Sequence, residues 1–208
     1  MSEYRFPEII PVDARLLLAS ASPRRRELLA SMGLSFEISV CEVDEQVDSA
    51  VHPADATVLL AARKARAAYA RFGREGDILL ASDTLVECDG IPLGKPVDGA
   101  DAVRTLMMLS GRAHNVHTGV AVIYRGRLFA ARDTTAVRMR AFTEEEARGY
   151  VATGEPMDKA GAYGIQGLGG RLVEGFDGEY DTVVGLPTHL TDLLLCRAVE
   201  HPEEGEPL

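Results

Sequence analysis

Two serines, a proline and three arginines lie within residues 20–26, directly after the apolar run Leu16–Ala19. Ser22 suits the N-cap of a helix and Pro23 suits its first position, so the segment predicts a strand, a tight loop and a helix start. The free backbone N–H groups of a helix start attract anions, and arginines there oppose the helix dipole unless an anion is present. A capped helix with a solvated basic turn explains the same residues. With a ligand, the hydroxyls and guanidinium groups would bind a polyphosphate.

Asp83 is the second residue that could do chemistry, because it interrupts the apolar sequence of Ile78–Ala81 and Leu85-Val86. A carboxylate inside a buried strand has to be paired, hydrogen-bonded or bound to a metal. One interpretation is a bulge or a strand end with a satisfied aspartate. The other is a general base or a Mg²⁺ ligand at the mouth of a cleft.

Further charged side chains follow predicted strands or lie in loops. Glu42, Asp44 and Glu45 form an acidic cluster that alone is typical of a solvated turn. Beside the arginines and the strand aspartate, their hard oxygen ligands favour Mg²⁺ or Mn²⁺, which would also bridge phosphates. Lys64 belongs to a basic helix face, whereas Lys95 precedes a proline in a loop, where a phosphate contact is easier to form.

Residues 154–170 are rich in glycine and turn formers, and a loop of this length inside a compact domain usually has a function. The loop has no phosphate-loop lysine pattern, and the chain has no GxSxG or GxGxxG motif. We therefore expect its backbone amides to approach a base. His114 and His117 are three residues apart on a predicted strand, so they point to opposite faces and are interpreted as structural.

These residues need strands and helices to position them, and hydrophobic periodicity predicts such a framework. Crossover units and a central hairpin indicate an α/β fold with a mixed sheet, in one domain over residues 14–200. An extension at 1–13 precedes it, and a disordered acidic tail at 201–208 is expected to follow it. Strands are predicted at 16–19, 35–40, 77–87, 114–124 and 127–139, with two short strands in 171–184; helices are predicted at 24–32, 53–72, 98–109, 143–153 and 187–199.

Composition limits the classes of function. The chain has 208 residues, 46% of them hydrophobic, which is ample for a sizeable core. A net charge of −10 argues against a general nucleic-acid binder, but a cleft with local arginines could still bind a small anion. The three widely spaced cysteines form no metal motif and indicate reduced thiols in a cytoplasm. No apolar run reaches the length of a membrane span, and the N-terminus has no signal-peptide core.

Eight short motifs, by their order and spacing, resemble the Maf family of nucleotide pyrophosphatases from about residue 15 to residue 196. They are Ser20-Ala-Ser-Pro-Arg-Arg, Val43-Asp-Glu, Lys64-Ala, Ser82-Asp-Thr, Gly94-Lys-Pro, Ser110-Gly, His117-Thr-Gly and Asp158-Lys-Ala-Gly-Ala-Tyr-Gly-Ile-Gln-Gly. Each motif is weak alone, and their co-occurrence is highly specific. The resemblance implies hydrolysis of a nucleoside triphosphate to the monophosphate and pyrophosphate with a divalent cation, Mg²⁺ or Mn²⁺.

The same resemblance implies an architecture and a set of residue roles. The expected fold is an elongated mixed β-sheet with flanking helices and two lobes around a cleft, similar to the inosine-triphosphate pyrophosphatases. The expected protein is cytoplasmic and a homodimer. The implied site comprises, for catalysis, Asp83 as proton acceptor with Lys64 and Lys95; for the phosphates, Ser20, Arg24 and Arg25; for specificity, Arg25, Thr84 and Gln166; and for the metal, Glu45 and Asp83.

The segment from residue 158 to residue 167 resembles the family branch that acts on dTTP and UTP. The branch that acts on 7-methyl-GTP has Cys in place of Lys159 and Glu near Gln166. A Gln amide both donates and accepts, as the O4 and N3–H groups of a pyrimidine edge require. Two alternatives stay open: a nucleotide-binding regulator of cell division, and a pyrophosphatase for 7-methyl-GTP or another modified nucleotide.

The chain departs from the family pattern in the helix before Lys64. Leu59 and Arg63 stand where the family segment has Arg and Glu. The resemblance therefore does not extend to a salt bridge that orients Lys64 from its own helix.

Overall fold

A computed structural model describes residues 4–208, which form one mixed eight-stranded sheet flanked by helices. The strands are β1 (Leu16–Leu18), β2 (Glu37–Ile38), β3 (Ile78–Cys88), β4 (Ile91–Leu93), β5 (Ala113–Tyr124), β6 (Arg127–Met139), β7 (Val173–Asp177) and β8 (Glu206–Pro207). The α-helices are α1 (Phe6–Ile9), α2 (Pro23–Ser31), α3 (Pro53–Phe72), α4 (Gly99–Leu109), α5 (Glu144–Val151), α6 (Tyr180–Val184) and α7 (Thr188–Glu200). Short 3₁₀ helices occupy Glu155–Asp158, Ala160–Ala162, Leu168–Leu172 and Pro202–Glu204. No helix in the described range is long and apolar enough to cross a membrane.

The sheet has the mixed α/β organisation that the sequence predicts. Its strand order is β2-β1-β3-β5-β6-β7, with β4 paired to β3 and β8 paired to β6. The β1–β2 and β1–β3 pairs are parallel, and the pairs from β3 through β7 are antiparallel. The predicted hairpin is confirmed: β5 and β6 meet at a turn in which Arg125 and Gly126 both have positive φ.

One edge of β3 is interrupted at its centre. On one side β5 pairs with residues 78–87 without a break. On the other side β1 pairs with residues 78–80 and β4 pairs with residues 86–88. Among residues 4–208, no strand therefore pairs with residues 81–85 on that side. We call this stretch the open edge; it includes Ser82, Asp83 and Thr84.

The long strands β3 and β5 contribute to three hydrophobic clusters, two of them on opposite faces of one end of the sheet and the third at the other end, which gives the two lobes that were expected. In the first lobe Leu80 and Val122 pack with residues of α2 and α7, and on the opposite face α3 packs its alanines against the sheet. In the second lobe Val86 and Val116 pack with α4, α5 and the glycine-rich loop. The open edge and the cleft lie between these lobes.

The prediction of two short strands in 171–184 is half wrong. β7 is a strand, but residues 180–184 form α6 despite their β-branched side chains. Thr182 explains the difference, since its carbonyl accepts the Thr118 hydroxyl at 2.8 Å and its hydroxyl donates to Asp133. Such tertiary contacts override the preference of these residues for strands.

Residues near both ends of the described range pack against the domain. Residues 1–3 of the predicted extension lie outside the described residues, but Phe6 is fully buried and its backbone N–H donates to Asp192 at 2.8 Å. The tail at 201–208 was expected to be disordered, and this is wrong. Arg197 binds Glu204 at 2.8 Å, and β8 pairs with the start of β6. Backbone pairing and an ion pair thus order a segment whose composition alone indicated disorder.

Gly119 on β5 sets the distance between the sheet and α3. A Cβ built there lies 2.4 Å from the backbone carbonyl of Thr57. Gly119→Ala should therefore lower the free energy of unfolding by about 3 kcal/mol, because helix and sheet must separate. Gly149→Ala is the matched control, since Gly149 is exposed on α5 and an added Cβ meets no atom of residues 4–208 within 4 Å. This substitution should raise the free energy of unfolding by up to about 1 kcal/mol. Urea denaturation measures both values, and equal values would contradict the packing argument.

Candidate active site

The loop after β1 and the start of α2 have the structure that the sequence predicts. Ser22 is the N-cap of α2, and its Oγ accepts the Arg25 backbone N–H at 3.4 Å. Ser20 is buried, and its Oγ accepts the Ser22 backbone N–H at 3.2 Å. Pro23 occupies the first turn, while Arg26 is exposed on the outside of the helix. The chain therefore presents a capped helix start with two arginines at the cleft.

The Arg25 guanidinium ties α2 to the open edge of β3. It donates to the Ser82 carbonyl at 2.9 Å and to Thr84 Oγ1 at 3.1 Å. Its Nε donates to the Gly185 carbonyl at 2.8 Å. Burial lowers the pKa of Arg25, and the nearby charge of Asp83 opposes this shift. Because most of its donors bond to the protein, Arg25 would act on a ligand chiefly through its charge.

Thr84 is held by a directed chain of hydrogen bonds. The Thr118 hydroxyl donates to the Thr182 carbonyl at 2.8 Å. The 2.9 Å hydrogen bond between the Thr84 and Thr118 hydroxyls must therefore use the Thr84 proton. Thr84 Oγ1 in turn accepts from Arg25. This leaves Thr84 with a lone pair and a methyl group, but no free proton, to offer a ligand.

Lys64 joins two carboxylates on the α3 side of the sheet. Its Nζ lies 2.5 Å from Asp83 Oδ1 and 2.8 Å from Glu45 Oε1. The Asp83 side chain is 9% exposed and that of Lys64 is 17% exposed, whereas Glu45 lies mostly in solvent. The hydrogen bond from Lys64 lowers the pKa of Glu45 although partial burial opposes it, and the charges of Lys95 and Arg25 lower it further. These charged side chains therefore influence one another and form a single site.

The loop that carries Glu45 is fixed by Arg63, one of the two positions where the chain departs from the family pattern. The Arg63 guanidinium donates to the carbonyls of Asp44 and Gln46, the latter at 2.9 Å. Lys64 needs no orienting partner on its own helix, because the two carboxylates hold it directly.

The site has two compartments, because Asp83 and Thr84 are neighbours on one strand and point to opposite faces. Thr84 lines a cavity of about 410 Å³, together with Val86, Val116 and the glycine-rich loop. This volume is in the range of small-molecule sites. Asp83 is absent from the cavity lining and lies with the charges on the α3 side. A ligand that touches both groups has to cross the open edge.

Gln166 and Lys95 line the cavity, and neither has a hydrogen-bond or ion-pair partner among residues 4–208. Their amide and ammonium groups are therefore available to a ligand. Arg24 lines the same cavity from α2, and its guanidinium lies 3.6 Å from the Asp158 carboxylate of the glycine-rich loop. This weak contact joins the two walls of the cleft.

Sequence reasoning missed Glu155, which also lines the cavity. Its carboxylate accepts the backbone N–H groups of Leu168 at 2.9 Å and Gly169 at 3.1 Å, and the Tyr150 hydroxyl at 2.8 Å. Burial raises the pKa of Glu155, but these hydrogen bonds together outweigh it and the pKa is lowered. A signal was present, since the amides of a glycine-rich loop need acceptors and Glu155 is the first carboxylate of that loop.

Glu45 and Asp83 suit a divalent cation by their chemistry. Both carboxylates converge on one cationic group, the Lys64 ammonium. Mg²⁺ is commonly held by one or two carboxylates, with water and substrate phosphates as further ligands. Within residues 4–208, the one compact group of three possible metal ligands is His201, Glu203 and Glu204, exposed near the C-terminus. The Glu45–Asp83 pair thus fits a metal that the substrate helps to bind.

His114 and His117 bind protein groups, in agreement with a structural role. His114 Nε2 and the Tyr163 hydroxyl are 2.7 Å apart, and burial lowers the pKa of His114 to about 4. His117 Nδ1 lies 2.8 Å from the Thr134 hydroxyl, and its Nε2 lies 3.5 Å from Glu87. Both rings are buried and they have separate partners.

The sheet and the cleft define an α/β protein with a cavity of about 410 Å³ lined by charged and apolar side chains. Within that class the family is clear, because the model of the family described as "Maf-like protein" matches residues 15–198. The chain belongs to this family, and the family resemblance of its motifs is confirmed.

Two relatives illustrate the similarity. The dTTP/UTP pyrophosphatase of Moorella thermoacetica is 51% identical over 185 residues, which cover 88% of this chain and 94% of that protein. The dTTP/UTP pyrophosphatase of Vibrio cholerae is 48% identical over 182 residues, 88% of this chain and 97% of that protein. The Staphylococcus aureus Ham1 structure aligns with a TM-score of 0.42 at 11% identity, covering 60% of this chain and 71% of that one.

Lys64 and Lys95 provide a matched test of the site's electrostatics. Lys64→Met leaves the buried Asp83 carboxylate without its counter-ion, so it should lower the free energy of unfolding by about 3 kcal/mol. Lys95→Met removes an exposed cation that has no hydrogen-bond or ion-pair partner among the described residues, and should change stability by less than about 0.5 kcal/mol. Urea denaturation at pH 7 compares the two. Adding Asp83→Asn to Lys64→Met should recover part of the loss, and strict additivity would argue against the pairing.

Proposed function

We propose that this protein hydrolyses dTTP and UTP to the nucleoside monophosphate and pyrophosphate. The relatives that cover most of the chain are named for this activity. The observation that carries the proposal is the position of Asp83, a buried carboxylate on the open edge. It lies beside Lys64 and opposite a cavity that Gln166 lines. Such a site can hold a triphosphate across the edge and activate water against it.

The base would occupy the cavity on the α2 side. The Gln166 amide has no hydrogen-bond partner in the described part of the chain, and it can both donate to O4 and accept from N3–H of uracil or thymine. Thr84 offers a lone pair and a methyl group, and Val86 and Val116 offer an apolar floor. These contacts suit a pyrimidine with a carbonyl at position 4.

The triphosphate would extend from the cavity over the open edge. The Ser20 hydroxyl and the Arg24 backbone N–H at the start of α2 supply donors, while the Arg24 and Lys95 side chains supply charge from the two walls. Arg25 adds charge from beneath while it holds the edge in place. The phosphate chain would thereby reach the α3 side, where Asp83 and Lys64 lie.

The reaction itself needs a base and charge stabilisation. Asp83 would take a proton from water as the water oxygen forms a bond to the α-phosphorus. The bond between the α-phosphorus and the bridging oxygen breaks, and pyrophosphate leaves with that oxygen. Lys64 and Lys95 would stabilise the charge that develops on the phosphates. A Mg²⁺ or Mn²⁺ ion, held by Glu45 and Asp83, would neutralise further phosphate charge.

We also propose a cellular location and an oligomeric state for this activity. The motifs shared with the Maf family support a cytoplasmic homodimer that acts on free nucleotides. The net charge of −10 supports a small substrate over a nucleic acid, because a nucleic-acid surface would be basic.

Asp83→Asn tests the assignment of the general base. The amide keeps the size of the side chain but cannot accept the proton, so kcat with UTP should fall about 10²–10⁴-fold. Pyrophosphate release with Mg²⁺ or Mn²⁺ measures the rate, and circular dichroism checks that the variant is folded. The matched control is Asp177→Asn on the exposed part of β7, which should keep the wild-type rate.

Three outcomes of this assay would contradict the proposal. A near-normal rate for Asp83→Asn would remove the assigned base. Fastest release from 7-methyl-GTP would replace the pyrimidine substrates. No release from any canonical or modified nucleoside triphosphate would favour a nucleotide-binding regulator.

A further inference from the structure

One carboxylate organises the end of the glycine-rich loop. Glu155 Oε2 accepts the Leu168 N–H at 2.9 Å, and Oε1 accepts the Gly169 N–H at 3.1 Å. These are the first two amides of the 3₁₀ helix Leu168–Leu172, whose own N-cap residue, Gly167, supplies no side-chain cap. Glu155 therefore caps a helix that follows it by 13 residues.

Tyr150 on α5 fixes the other end of the same turn. Its hydroxyl donates to Glu155 Oε1 at 2.8 Å and accepts the Gly164 N–H at 3.1 Å. Burial raises the pKa of Tyr150, so the phenol keeps the proton that it donates. Gly164 and Leu168 are thus both held by one connected group, and the residues between them include Gln166.

The turn is wrapped tightly around this group. A Cβ built at Gly167 lies 2.5 Å from both carboxylate oxygens of Glu155. A side chain at that position would displace the carboxylate, so the glycine next to Gln166 is required by Glu155. The exposed Gln166 side chain makes no hydrogen bond within residues 4–208, so its position depends on the backbone that carries it.

We propose that Glu155 is a positioning residue that sets substrate specificity by holding the Gly164–Leu168 turn, and with it Gln166, at the base end of the cavity. This rests on the proposed function, which places uracil or thymine in that cavity. Glu155 would contact neither the phosphates nor the attacking water. Its loss should therefore weaken base recognition and spare the chemical step.

Binding of the non-hydrolysable analogue α,β-imido-UTP tests the proposal without any requirement for activity. Glu155→Gln puts an NH₂ group where the loop amides need an acceptor. It should weaken binding by at least about tenfold by calorimetry, as expected for hydrogen bonds to a charged group. Tyr150→Phe is a milder variant that keeps the ring and removes one anchor, and it should weaken binding by about threefold. Glu145→Gln, an exposed carboxylate on the same helix as Tyr150, is the control and should bind as the wild type does.

A double-mutant cycle decides whether Glu155 acts through Gln166. If it does, Glu155→Gln with Gln166→Ala should bind α,β-imido-UTP no more weakly than Gln166→Ala alone. Preference for α,β-imido-UTP over α,β-imido-ATP should fall in Glu155→Gln and Tyr150→Phe alike. Additive losses, or an unchanged preference in both variants, would overturn the proposal.

Hydrolysis of UTP separates this inference from the proposed function. In an active wild type, Glu155→Gln should raise KM by at least about tenfold and change kcat by less than about threefold. A fall in kcat with unchanged KM would overturn the positioning role. An inactive wild type would refute the proposed function alone, because the analogue cycle would still report on Glu155 and Gln166.

Discussion

The site depends on the open edge of β3. β1 pairs with β3 as far as residue 80, and β4 begins to pair with it at residue 86. Within the described range, residues 81–85 therefore pair with β5 alone. Unpaired strand edges expose backbone groups that need partners, and here the Arg25 guanidinium satisfies the Ser82 carbonyl. One arginine thereby holds α2 beside the edge and brings positive charge to it.

The side chains of β3 point alternately to its two faces, and this divides the site into two compartments. Asp83 faces α3 and meets Lys64, while Thr84 faces the cavity and meets Arg25. Neither compartment alone could bind a nucleoside triphosphate. The compartment on the α3 side contains the acidic and basic groups, and the one on the α2 side contains the cavity. Together they suit a substrate with an uncharged base and an anionic chain, as the relatives' named activity requires.

Much of this could be predicted from sequence, and the exceptions have a common cause. The limits of α3 and the capped start of α2 follow from local signals such as Pro23, and the hydrophobic context of Asp83 marked it as unusual. Contacts between residues distant in the chain determine the exceptions. These are the hydrogen bonds to the Glu155 carboxylate, the helix that contains Thr182 and the paired C-terminal tail. Composition and periodicity do not contain such contacts, so loops and tails were predicted least well.

The central claim is that water attacks the α-phosphorus of a nucleotide lying across the open edge. Hydrolysis of UTP in H₂¹⁸O, with mass spectrometry of the products, tests it most directly. The account predicts one ¹⁸O atom in UMP and none in pyrophosphate. Label in pyrophosphate, or UDP and labelled orthophosphate as products, would place the attack on another phosphorus and contradict it.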